Sequence, residues 1–141
     1  MVRPPPDDPS ALLFFAFRAL TAEPDRVLAE HGLSRVHHRI LYFVGRAPGL
    51  RVGELLALLG VTKQALNRPL RELLQRGLVA GSTPAHNRRA RELRLTPSGD
   101  RLERRLSGAQ RRRFAQAFSA AGVQAEQGWR EVMRLLFEPP A

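Results

Sequence analysis

Lys63, Gln64, Asn67, Arg68 and Arg71 recur at a spacing that places them along one side of a helix, opposite Leu66, Leu70, Leu73 and Leu74. Their types define a chemistry. An arginine fork can hold guanine O6 and N7, while the amides of Gln and Asn match adenine N6 and N7. Amide and basic side chains sharing one face are more specific than charge alone. Gln64, Asn67 and Arg68 are expected at base edges, and Lys63 and Arg71 at phosphates. Thr62, at the helix start, can also donate to a phosphate. The plain alternative is an ordinary solvated helix face.

Other chemistries find little support. There is no cysteine among the 141 residues, which removes disulfides, thiolate metal sites and cysteine catalysis. His37 and His38 are adjacent, so on a helix they point about 100° apart and do not chelate together easily. His31 and His86 fall in expected loops. No metal and no cofactor are therefore expected. Ser107 and Ser119 lack helper residues nearby, and no phosphate-cradling glycine loop or paired-carboxylate site is visible, so the chain does not read as an enzyme. The longest apolar run, Ala11 to Phe17, stops at Arg18, and Pro4, Pro5, Pro6, Asp7 and Asp8 precede it in place of a basic region. Neither a membrane span nor a signal peptide is expected, and the chain reads as cytoplasmic.

The charge is concentrated. The formal net charge is +10, from 23 basic and 13 acidic residues, and Lys63 is the single lysine. All of that excess falls between Lys63 and Arg113, where 14 basic residues meet four acids; the rest of the chain is balanced. A polyanion-binding surface confined to one part of the chain is the simplest reading. Arg101, Arg104 and Arg105 lie close enough to the expected hairpin to touch phosphates, whereas Arg111, Arg112 and Arg113 read as a solvated face or as intersubunit ion pairs.

Proline and glycine divide the sequence into the elements that must position these residues. Pro4, Pro5, Pro6 and Pro9 make an extended arm. Asp8 or Ser10 caps a first helix that Pro24 should kink or split and Gly32 should end. Ser34 caps a second, built on Val36, Ile40, Leu41 and Val44. After the Ala47–Pro48–Gly49 turn, a short helix runs from about Val52 to Leu59 and closes at Gly60. Thr62 caps a fourth helix ending at Gly77. Leu78 to Ala80 and Leu93 to Leu95 read as short strands, joined by a loop over Ser82 to Arg89. Thr96–Pro97 opens a long helix that Gly122 breaks, and an amphipathic helix follows. Short helix, glycine turn, capped helix and basic hairpin together outline a winged helix-turn-helix.

The chain resembles the MarR (multiple antibiotic resistance regulator) family. The resemblance rests on Gly49 to Gln64, on Arg76–Gly77–Leu78–Val79, and on Arg88 to Gly99, in that order and spacing. It implies a mainly α fold: a winged helix-turn-helix on a helical dimerisation base, with about six helices and a two-stranded β-hairpin wing. Residues 1–9 would form the arm, 10–33 and 97–138 the dimerisation region, and 34–96 the DNA-binding domain. The recognition helices of a two-fold dimer would enter successive major grooves, and Asn87, Arg88 and Arg89 would carry the wing contacts. Phe14, Phe17, Trp129, Met133 and Phe137 are expected at the dimer interface; independently of the resemblance, they and Phe15 and Leu136 are more apolar surface than one small domain can bury. Between base and lobe, Arg18, His38 and Tyr42 could hold an aromatic or acidic small molecule, or could simply pack at the interface.

Two positions depart from the family pattern. Asn87 stands where the family usually has an aspartate two residues before the wing arginine, here Arg89, which removes a charge-assisted pairing. Pro69 lies inside the recognition helix, where it deletes the bond to the Ala65 carbonyl; a kink is expected that leaves Lys63 to Arg68 intact. The expected function is a homodimeric, sequence-specific DNA-binding regulator acting as a repressor on a pseudo-palindrome of double-stranded DNA. The competing readings are a non-specific basic nucleic-acid or architectural protein, and a relative that no longer binds DNA.

Overall fold

The computed structural model describes residues 3, 5–82 and 90–138. The described residues form helices α1 (Pro9–Glu30), α2 (Arg35–Arg46), α3 (Val52–Leu59), α4 (Lys63–Gln75), α5 (Pro97–Ala121) and α6 (Val123–Phe137). Strands β1 (Leu50–Arg51), β2 (Val79–Ser82) and β3 (Glu92–Leu95) complete them. This is the mainly helical winged arrangement expected, with a third strand added.

Side-chain caps set where the helices begin. Asp8 accepts the Ala11 N–H at 3.1 Å, Thr62 that of Ala65 at 3.1 Å, and Thr96 that of Gly99 at 3.0 Å. At the end of α4, Gly77 takes a left-handed φ of 69°. The Leu78 N–H then bonds to Leu73 O and the Gly77 N–H to Leu74 O, which turns the chain directly into β2. The strand order is β1-β3-β2, antiparallel throughout, with Leu50 opposite Leu93 and Val79 opposite Leu95.

The first helix does not split at Pro24. Proline removes the N–H that would bond to Leu20 O, but Gln110 of α5 donates its side-chain amide to that carbonyl at 3.3 Å. The helix therefore runs on through a buried Pro24. In α4 the carbonyl freed by Pro69 belongs to Ala65, which is exposed and open to water, and the helix is likewise unbroken.

One core serves the whole lobe. Val27 and Leu28 of α1, Ile40, Leu41 and Val44 of α2, Leu55 of α3, Leu66 and Leu73 of α4, Leu93 of β3 and Leu106 of α5 are essentially closed to solvent. Burial of each such side chain stabilises the fold by about 1.5–3 kcal/mol. The α4 leucines in this set fix its outward face. Where α5 starts, Gly99 packs so closely on the residue leading into β2 that a Cβ there would sit 1.9 Å from Leu78 O. By contrast, α6 has no buried residue within the chain.

Candidate nucleic-acid interface

Because Leu66, Leu70 and Leu73 anchor α4 to the core, Lys63, Gln64, Asn67, Arg68 and Arg71 are all exposed on its other side. The structure brings these five together as one stripe. Thr62 accepts the Ala65 N–H, which leaves its own O–H able to donate at the positive end of the helix. Arg68, 84% exposed, donates from Nε to Glu72 Oε1 at 3.2 Å, and its two terminal nitrogens meet no acceptor among the described residues.

The second oxygen of Glu72 lies 3.5 Å from Nε2 of His37, a buried ring on α2. His37 Nδ1 accepts the Ser34 N–H at 3.0 Å, so its ring hydrogen sits on Nε2 in the neutral form. Burial pushes the His37 pKa down, against the opposing pull of Glu72. Neither Glu72 nor this contact carries a sequence signal beyond the i, i+4 spacing of Arg68 and Glu72.

The proposed wing residues Asn87, Arg88 and Arg89, with His86, lie outside the described residues. At the base of the hairpin, the aliphatic stem of Arg91 crosses Gly81, whose missing side chain makes room for it. On α5, Arg104 pairs with Asp100 at 2.8 Å, Arg105 with Glu30 at 3.3 Å, and Arg101 donates to Ser98. Part of the cationic run is thus engaged within the chain.

A cavity of about 350 Å³ opens between α1, α2 and α5. His38 and Tyr42 are among its lining residues. Arg18 does not: its guanidinium lies over the rings of Phe14 and Phe15, 5.1–5.7 Å from their centroids, on another face of α1. The cations along the cavity are instead Arg35, Arg39, Arg46 and Arg111, which sequence reasoning missed. Arg35 pairs with Asp25 at 2.7 Å, and Arg46 covers the Tyr42 ring. His38 Nε2 is 3.1 Å from Ser107 Oγ. Burial holds the His38 pKa below its ordinary value; Arg39 acts in the same direction, and Glu103 and Asp25 oppose it.

Of the expected interface residues, Phe14, Phe17 and Phe137 are 59%, 44% and 69% exposed in the single chain. Phe17 also lines the cavity. Trp129 packs edgewise against Phe118 and tilted against Phe114 at the α5–α6 junction, and Met133 is half-buried. Among the described residues, no helix is long and apolar enough to cross a membrane, and no three His, Cys, Asp or Glu residues cluster as a metal site.

A core-anchored helix with an exposed amide and guanidinium stripe, beside a three-stranded sheet, defines a winged helix-turn-helix DNA-binding protein. Comparisons with known proteins agree. The MarR family model matches residues 31–90. The HTH-type transcriptional regulator PetP of Rhodobacter capsulatus is 49% identical over 127 residues, covering 90% of this chain and 76% of PetP. Rv2887, a MarR family protein of Mycobacterium tuberculosis solved in complex with DNA, shares 25% identity at a TM-score of 0.63, covering 93% of this chain and 98% of that one. Its complex with salicylic acid aligns with a TM-score of 0.58 at 25% identity, covering 93% and 97%. The chain belongs to the MarR family of helix-turn-helix transcriptional regulators.

Proposed function

We propose that this regulator acts as a homodimeric repressor on a pseudo-palindromic operator, with half-site centres about 34–36 Å apart. The observation that carries this reading is the exposed Gln64, Asn67 and Arg68 stripe on a helix whose opposite face is core. Gln64, Asn67 and Arg68 contact base edges, and Thr62, Lys63 and Arg71 contact phosphates. Asn87, Arg88 and Arg89 serve the wing. The exposed apolar faces of α1 and α6 supply the dimer contact. The DNA complex of Rv2887 supports DNA as the partner.

The α1–α2–α5 cavity receives a small acidic aromatic molecule. Its walls combine Phe17, Tyr42 and Phe114 with arginines, and about 350 Å³ is within the range of small-molecule sites. The salicylic acid complex of Rv2887 supports that chemistry. Ligand binding would favour a lobe separation that no longer fits the operator.

Enrichment of bound fragments from source genomic DNA tests the reading. The recovered operator should bind about 10³-fold or more tighter than a scrambled duplex at the same salt. Equal affinities across a salt series would identify a non-specific basic binder, and no tight duplex at all would identify a relative that has lost DNA binding.

A further inference from the structure

Glu72 is reached from two sides by groups of opposite character. Arg68, on the reading face, is 84% exposed, whereas the His37 side chain is 8% exposed; Glu72, at 30%, lies between them. His37 is itself fixed. Its Nδ1 is occupied by the Ser34 N–H, and its buried Nε2 has no well-formed hydrogen bond among the described residues, only Glu72 Oε2 at 3.5 Å. The charged groups bearing on His37 are Glu72 of α4 and Arg76 just past its end.

We infer that Glu72 is a positioning residue for base reading: set between the buried His37 ring of α2 and the reading face, it holds the Arg68 guanidinium by Nε and aims its terminal fork at a base. The inference rests on the assignment of Arg68 to a base edge. A free arginine on a helix surface samples many rotamers, and ordering it on DNA has an entropic cost. A carboxylate bound to Nε removes much of that freedom while leaving Nη1 and Nη2 available, and this pair matches guanine O6 and N7. Glu72 also places a negative charge on a surface that approaches phosphates, which weakens sequence-independent attraction. The residue therefore favours specificity at the expense of general affinity. A merely structural ion pair would not separate the two.

The test uses the full chain, comparing wild type with Arg68→Ala, Glu72→Ala, Glu72→Gln and the Arg68→Ala/Glu72→Ala double variant. Base preference is read position by position on duplexes enriched with the wild type, and affinity for scrambled duplex is read at the same salt. Glu72→Ala should flatten preference about tenfold at the base pair that Arg68→Ala flattens, leave other positions unchanged, and raise affinity for scrambled duplex. Glu72→Gln, which keeps an oxygen for Nε, should recover part of the preference, and the double variant should lose no more than Arg68→Ala. By ¹⁵N NMR titration, Glu72→Ala should lower the pKa of His37. Full preference in Glu72→Ala, an equal loss at every position, a Glu72→Gln as flat as Glu72→Ala, or an unmoved His37 titration overturns the inference alone. A wild type without base preference overturns the proposed function as well.

Discussion

His37 and His38, consecutive on α2, serve different neighbours: His37 Nε2 lies 3.5 Å from Glu72 of the reading helix, and His38 Nε2 lies 3.1 Å from Ser107 in the cavity wall. One rigid helix thus touches both the proposed ligand cavity and the side-chain chain that ends at Arg68.

The same two rings make stability pH-dependent. Burial holds both below the ordinary histidine value of 6.5. As pH falls through that value the unfolded chain takes up protons that the folded chain refuses, so stability is complete above it and is lost on acidification. Glu23, held below its usual 4.5 by the Arg26 hydrogen bond, titrates outside this window. The melting temperature should fall between pH 8 and 5.5, and His37→Gln/His38→Gln should flatten the slope. A flat wild-type profile contradicts the assignment.

Gly99 should be intolerant of any side chain. A Cβ would overlap the Leu78 carbonyl, a backbone atom that can yield only by moving the segment leading into β2 against α5. Gly99→Ala should destabilise the fold by about 1–3 kcal/mol in chemical denaturation. Unchanged stability would mean that the junction is looser than its geometry.

Local chemistry was legible in the sequence, and contacts between distant residues were not. Thr62, Thr96 and Gly60 mark helix ends because caps act within a few residues. The reading stripe follows from helical period alone. The two-residue strand β1 leaves no pattern of its own and exists because Leu50 pairs with Leu93. Pro24 looked like a break because the amide that compensates it, Gln110, is far along the chain. Arg18 looked like a cavity cation because its direction around α1 is set by stacking on Phe14 and Phe15.

Charge introduced at the apolar faces should keep the chains apart without unfolding them, since these residues are exposed in the single chain. Phe14→Glu with Phe137→Glu should retain its helical circular dichroism and sediment at 15.8 kDa, and the wild type should sediment at twice that mass. A variant that remains dimeric would place the interface elsewhere.

Salicylate should bind the cavity and release operator DNA. Arg39 lines the cavity without a carboxylate partner among the described residues, so Arg39→Ala should weaken salicylate by about 1.5–3 kcal/mol in calorimetry. An unchanged affinity would exclude Arg39 as the anion's partner.

The spacing of the two reading helices is the most direct test of the whole account. Operator duplexes with five base pairs inserted between the half-sites turn one half-site to the opposite side of the DNA, about half a helical turn away. Two rigidly coupled α4 helices should then bind no better than on scrambled duplex. Undiminished binding to the inserted operator would show that the chains read DNA independently.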